Sequence, residues 1–99
     1  MTKKKERYVV VTTDSTKRGV FFGNLIKYDE EKKIAELKDA QMAVYWSSKT
    51  KGVLGLASTG PMEGSRITPV IPKIMLEGVT AIMDTTLKAK EKWKAQPWN

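Results

Sequence analysis

The sequence predicts a mainly β protein, a small barrel or a strongly bent antiparallel sheet, with one short C-terminal helix. Three features of the 99-residue chain support this class. Short runs rich in β-branched and aromatic residues recur at close spacing, glycine- and proline-containing turns separate them, and a lysine-rich helical pattern follows the last run. The length suits one small domain, so we assign residues 1–6 to a flexible basic N-terminus and residues 7–99 to a single β domain.

Four strands are predicted in the first half of the chain. Tyr8–Thr13 is dense in β-branched residues, and Val20–Tyr28 follows it after a turn-forming segment. Lys33–Lys38 alternates apolar and polar residues, as a half-buried strand does, and Met42–Ser47 follows after a break or bulge. Gly23, inside the second strand, indicates a bulge or a bend of the kind that small barrels need.

The second half is predicted to complete the sheet. Val53–Ser58 is an apolar run that we assign to a strand, and Gly78–Met83 is assigned to the last strand. Between them, Arg66–Leu76 contains Pro69 and Pro72. Because proline cannot donate a backbone hydrogen bond, this segment is expected to be an extended edge or a crossing segment rather than a central strand.

A short helix is predicted at about residues 85–95. Asp84 is a typical N-cap residue, lysines are concentrated in the last turns, where they suit the helix dipole, and Pro97 ends the pattern. Trp93 and Trp98 are expected to pack back onto the barrel or onto a neighbouring subunit.

The composition excludes several kinds of chemistry. The chain has no cysteine and no histidine, so disulfides, thiolate zinc sites, cysteine nucleophiles and histidine-based triads are all ruled out. The one acidic cluster, Asp29-Glu30-Glu31, falls in a predicted turn rather than converging from separate elements. We therefore expect a protein that is not an enzyme and that needs no metal or cofactor.

The charge indicates the class of ligand. The formal net charge is +7, which attracts polyanions such as nucleic acids, nucleotides or acidic proteins, although basic tails also serve solubility alone. No apolar run is long enough to span a bilayer or to serve as a signal peptide, so we expect a cytoplasmic protein with no membrane partner.

Two adjacent aromatic residues, Tyr45 and Trp46, are the first candidate binding residues. On a strand their side chains point to opposite faces, so one is expected in the core or at a subunit contact. The other offers a surface on which a base can stack, a contact worth about 1–3 kcal/mol. Trp46, which would share a face with Val44, is our choice for the stacking residue.

The segment Ser58-Thr59-Gly60 offers hydroxyls and backbone N–H groups in a turn, which can bind an anion. It is not a P-loop, and turn formation alone also accounts for it. Arg66 follows another glycine turn and is expected to converge with Ser58 and Thr59. Arginine grips phosphate through two parallel hydrogen bonds, whereas exposed loop cations are otherwise simply solvated.

The candidate ligand-binding residues are therefore Arg18, Tyr45, Trp46, Ser47, Lys49, Lys51, Ser58, Thr59 and Arg66.

Two resemblances accompany these residues. The segments YVVVTT and GVFFGNLIKYDEEKKIAELKDA are similar to the opening of an Sm-like or SH3-like barrel. From Arg7 to Trp98, the ordered segments RYVVVTT, VYWS, GVLGLASTGP and GVTAIM resemble an uncharacterised family of small phage and prophage proteins. That resemblance implies a viral source. Small phage proteins often act against host defence, some of them as sponges that sequester a nucleotide messenger.

Three functions follow as hypotheses. The first is a non-enzymatic phage protein that sequesters a small anionic nucleotide signal of host defence. The second is a nucleic-acid-binding barrel, and the third is an inhibitor that binds a host protein. Three tryptophans, two phenylalanines and five methionines exceed what so small an interior needs, so we also expect a homo-oligomer.

Overall fold

The computed structural model describes residues 6–14 and 19–95. The helices are α1 (Gly52–Ser58), which follows a 3₁₀ turn at Ser48–Thr50, and α2 (Leu87–Ala95). The strands are β1 (Tyr8–Thr13), β2 (Val20–Asp29), β3 (Ile34–Tyr45), β4 (Arg66–Ile67), β5 (Ile71–Leu76) and β6 (Val79–Asp84).

The described strands form one antiparallel sheet in the order β6-β1-β2-β3, and the outer edge of β3 is shared by β4 and β5. Within this part of the chain the sheet does not close into a barrel. The predicted mainly β class with a C-terminal helix is confirmed, and the barrel alternative is replaced by the bent sheet. Only Glu77 and Gly78 separate β5, beside β3, from β6, beside β1. The two edges must therefore lie close together at that end, and the N–H of Val79 donates to the carbonyl of Lys33 at 3.1 Å.

Strand β3 combines two predicted strands into one. The expected break is a bulge, because Asp39 adopts a left-handed φ of 52° and the register with β2 shifts between Phe22 and Asn24. Gly23 lies opposite this bulge, and a β-carbon there would come within 3.1 Å of the Leu37 side chain. The predicted role of Gly23 at a bend is thus explained by a close approach of the two strands.

The prediction of a strand at Val53–Ser58 is wrong, because this segment lies in α1. Val53 is half-buried and Leu56 and Ala57 are buried, which is the i, i+3, i+4 spacing of a helix face. Gly60 ends the helix with a φ of 85°, and its N–H donates to the carbonyl of Gly55 at 2.9 Å. The glycine is thus a helix-ending residue at C′.

The predicted N-cap of the last helix is also wrong. Asp84 is the final residue of β6, where its carboxylate pairs with Arg7 at 2.7 Å. The hydroxyl of Thr86 accepts the N–H of Ala89 at 3.0 Å and caps α2 instead.

The sheet has a hydrophobic core on each of its two faces. One lies under the helices and contains Tyr8, Val10, Phe22, Ala43, Leu56, Ala57, Ile67 and Trp93. The other lies inside the curl of the sheet and contains Val9, Val11, Ala35, Leu37, Ala40, Leu76 and Val79.

Trp93 fixes α2 to the sheet, as its predicted inward packing requires. Its ring is fully buried, stacks on Phe22 with the ring centroids 4.9 Å apart, and donates through Nε1 to the carbonyl of Leu56 at 2.9 Å. Trp98 lies outside the described residues.

Candidate functional site

The candidate site is organised by the pairing of β3 with β4. Tyr45 and Arg66 are cross-strand partners in this pair, and both side chains are exposed, Tyr45 by 58%. The register shifts between Ala43 and Tyr45, so a bulge-like irregularity directly precedes this pair. An exposed aromatic side chain and an exposed arginine therefore occupy paired positions of two neighbouring strands.

Buried hydroxyl groups fasten the following loop to the segment before β4. The N–H of Ser47 donates to Oγ of Ser65, which is fully buried, at 3.1 Å. The N–H of Met62 donates to Oγ1 of Thr50, which is 1% exposed, at 3.0 Å. These two hydrogen bonds join residues 12 to 18 positions apart and hold the loop in one place relative to Arg66.

The fastened loop presents two exposed lysines, Lys49 and Lys51. Lys51 ends the 3₁₀ turn and also forms the N-cap of α1, with a left-handed φ of 67°. For a lysine this backbone conformation costs about 1–2 kcal/mol and persists only where the surroundings impose it. The surroundings therefore fix the backbone position from which the Lys51 side chain extends.

We name Tyr45, Ser47, Lys49, Lys51 and Arg66 the cationic face. Ser47 contributes its backbone to the anchoring of the loop, and its Oγ is buried with no hydrogen-bond partner among the described residues. Trp46 has a different role, because it is half-buried and packs against the core under the helices. The exposed ring at this position is therefore that of Tyr45.

Ser58 and Thr59 lie at the other end of α1, about 10 Å from Lys51 at 1.5 Å per residue. The N–H groups of Thr59 and Gly60 both donate to the carbonyl of Gly55 at 2.9 Å, so they complete the helix and do not point to an anion. The structure therefore does not place these groups in the cationic face. Arg18 lies outside the described residues.

Among the described residues, the pKa values of Arg7 and Tyr8 are shifted, and neither residue belongs to the cationic face. A hydrogen bond to the Asp84 carboxylate and its negative charge raise the pKa of Arg7. Burial raises the pKa of Tyr8, whose ring has the ammonium groups of Lys90 and Lys94 at 4.3 Å and 4.8 Å from its centroid. The two lysine contacts stabilise the packing of α2 on β1, and the Arg7–Asp84 pair joins the start of β1 to the end of β6.

Two kinds of site are not found in the part of the chain that the structure describes. Among residues 6–14 and 19–95, no three Asp, Glu, His or Cys side chains are grouped as metal ligands would be. No helix within the same ranges has the length and apolar character needed to cross a bilayer.

Sequence reasoning did not find Thr50 and Ser65, the residues that anchor the loop. Their hydroxyls are unremarkable in the sequence, and their importance comes from burial and from partners many residues away. The two glycines in the segment from Thr59 to Ser65 indicate, from sequence alone, that this segment approaches neighbouring parts of the chain closely.

The chain belongs to the family described as a domain of unknown function, DUF6948, whose model matches residues 6–93. No curated protein and no solved structure matches the chain significantly. The phage and barrel resemblances therefore stay predictions.

Proposed function

We propose that this member of the DUF6948 family is a non-enzymatic protein that binds a small anionic nucleotide on the cationic face and sequesters it. The observation that carries the proposal is the cross-strand pairing of an exposed Tyr45 with Arg66. A base stacks on the tyrosine ring while its phosphate meets the guanidinium. Stacking contributes about 1–3 kcal/mol per base, and arginine adds two parallel hydrogen bonds to phosphate.

The other members of the face add charge and order. Lys49 and Lys51 are exposed point charges on the loop that follows Tyr45, and in this proposal they attract the same phosphate. The hydrogen bonds from Ser47 to Ser65 and from Met62 to Thr50 hold their loop before ligand arrives. Such preorganisation lowers the entropy lost on binding.

The chemistry of the face supports binding rather than turnover. Its exposed side chains are a phenol, two ammonium groups and a guanidinium, and the whole sequence has no cysteine or histidine to act as a nucleophile or proton carrier near neutral pH. A sequestering protein returns its ligand chemically unchanged.

The biological role that we propose is that of a phage protein acting against host defence in the host cytoplasm. The whole-chain likeness to small phage proteins and the net charge of +7 support it. We also propose that the protein is a homo-oligomer. Exposed apolar side chains along and before β5, at Val70 (51%), Ile71 (43%) and Met75 (62%), supply a surface for subunit contact.

Native mass spectrometry tests the binding, the chemistry and the assembly together. The purified protein is measured alone and then with mononucleotides, cyclic dinucleotides and short oligonucleotides. We expect an oligomer that takes up one ligand per chain and releases it with unchanged mass on denaturation. Release of a cleaved product would show an enzyme, and a monomer at micromolar concentration would contradict the proposed assembly.

Matched variants locate the site. Tyr45→Ala is expected to weaken binding about 10-fold or more through lost stacking. Arg66→Lys keeps the positive charge but loses the two parallel N–H donors of the guanidinium, so it is expected to weaken binding. The control, Lys32→Gln on the β2–β3 turn, is expected to leave binding unchanged. Equal affinity in all of these variants would place the ligand elsewhere.

A further inference from the structure

We infer that the preferred ligand is a nucleotide chain with several phosphates rather than a mononucleotide, and this inference rests on the proposed function. The cationic face does not end at Lys51. It continues over the surface of α1 to two lysines of α2, and together they form what we name the cationic strip: the cationic face with Leu54, Ser58, Lys88 and Lys92.

Helix α1 connects the two ends of the strip. Lys51 precedes its first residue and Ser58 is its last, so the helix spans about 10 Å. Leu54 and Ser58 lie one turn apart on its outer side, and Leu54 is 72% exposed. An exposed leucine between two groups of cations offers apolar contact to a base or sugar between phosphates.

Helix α2 meets the far end of α1 directly. The hydroxyl of Thr86 donates to the carbonyl of Ser58 at 2.6 Å, and its N–H donates to the carbonyl of Ala57 at 3.0 Å. Gly60 allows close packing here, since a β-carbon on it would lie 3.0 Å from Cα of Ala89 and would crowd Cβ of Lys92. Lys92 therefore extends from the junction of the two helices.

The four lysines of α2 divide into two pairs. Lys90 and Lys94 lie over the Tyr8 ring, and Lys90 is also 3.9 Å from the carboxylate of Glu6. Lys88 and Lys92 are exposed and one turn apart on another side of the helix. The second pair follows α1 and extends the cations of the face.

The length of the strip sets the size of the ligand. About 10 Å of α1 equals roughly three steps at the about 3.4 Å per nucleotide of a stacked strand. With the cations at both ends, the strip accommodates about four or more phosphates, and a mononucleotide contacts one end only. Linear and cyclic oligonucleotides share this chemistry.

Isothermal titration calorimetry with thymidine and adenosine nucleotides of one, two, four, eight and twelve units tests the inference. Affinity is expected to rise about 10- to 100-fold from the mononucleotide to the octanucleotide and then to level off. With five cations in the strip, affinity for the octanucleotide falls about 100-fold between 50 mM and 200 mM salt, because each phosphate contributes about 0.7 to the logarithmic slope.

Charge-matched double variants provide the control. Lys88→Gln with Lys92→Gln is expected to reduce the loss of affinity between 50 mM and 200 mM salt to about 20-fold. The same double variant is expected to weaken binding of the octanucleotide but not of the mononucleotide. The control, Lys27→Gln with Lys32→Gln, removes the same charge near the start of β3, whereas Tyr45 is the last residue of that 12-residue strand. This control is expected to change neither the salt dependence nor the affinity for the octanucleotide. Glu91→Gln, which removes the carboxylate one turn after Lys88, is expected to tighten binding of the octanucleotide.

The outcomes separate the inference from the proposed function. A protein that binds no nucleotide of any length fails both. If the mononucleotide binds as tightly as the octanucleotide, or if both double variants act alike, the inference is overturned and the proposed function stands. If affinity per site continues to rise with strands far longer than twelve units, the ligand is a long nucleic acid and the strip as defined is too short.

Discussion

Replacing Gly55 by alanine is expected to destabilise the protein, although alanine is the better helix former. Helix propensity alone favours alanine by about 1 kcal/mol. In the structure, however, a β-carbon on Gly55 would overlap the carbonyl oxygen of Thr50 and lie 2.8 Å from its carbonyl carbon. Nonbonded carbon atoms pack best at about 3.5–4.0 Å, so α1 and the 3₁₀ turn must move apart.

The magnitude follows from what that movement breaks. Overpacking a tight site costs about 1–3 kcal/mol. Moving Thr50 also stretches the 3.0 Å hydrogen bond from Met62, and leaving those buried groups unpaired costs about 1–3 kcal/mol more. Less the helix propensity, we expect the free energy of unfolding to fall by about 1–5 kcal/mol. The corresponding loss in Tm is at least about 4 °C for a domain of this size.

Urea unfolding followed by tryptophan fluorescence measures this change. Gly64→Ala is the control, because Gly64 has a φ of 94° but its nearest neighbour, Cβ of Ser47, would lie at an ordinary 3.7 Å. The control is expected to lose only the about 1–2 kcal/mol of backbone strain. A Gly55→Ala protein as stable as the wild type would refute the close approach of the helix to Thr50.

Three further predictions concern other contacts. Trp93→Phe is expected to lower the free energy of unfolding by about 2–4 kcal/mol, because the carbonyl of Leu56 loses its hydrogen-bond donor and a cavity remains. Urea unfolding followed by circular dichroism measures this change, and a loss under about 1 kcal/mol would contradict the expectation. Because burial raises the pKa of Tyr8, the contribution of this shift to stability is complete below the ordinary tyrosine pKa of about 10 and is lost as pH rises through the higher folded-state pKa. Above about pH 10 the wild type should therefore lose more stability than Tyr8→Phe, and superimposable stability-versus-pH profiles would refute this. Ser65→Ala is expected to weaken octanucleotide binding about 3- to 10-fold and to speed hydrogen exchange at the Ser47 amide, and unchanged exchange would show that this bond does not hold the loop.

The sheet was largely predictable because its strands carry local signals. The β-branched run at Tyr8–Thr13 gave the bounds of β1, and the two prolines after Arg66 correctly indicated edge segments. The helix α1 was missed because a short apolar run with two glycines fits a strand as well as a helix. Its spacing of buried positions becomes decisive only once the sheet that it covers is known.

The candidate site was predictable in residue type but not in arrangement. The proximity of Tyr45 to Arg66 depends on the register between β3 and β4, which no local signal fixes. The same holds for the anchoring hydroxyl of Ser65, whose partner is 18 residues away. Thr59 was grouped with these residues because hydroxyls beside glycine suit both an anion-binding turn and a helix end, and the sequence contains no means of telling the two apart.

The position of β1 between β2 and β6 has a consequence for synthesis on the ribosome. Of the six described strands, β1 emerges first and β6 emerges last, yet the two are direct neighbours and the amide and hydroxyl of Thr85 both donate to the carbonyl of Tyr8. The β2–β3 hairpin is able to form early, but one edge of β1 has no partner until residues 79–84 have been translated. Closing so long a loop is slow, so the nascent chain exposes an apolar strand edge until β6 has emerged and paired with β1.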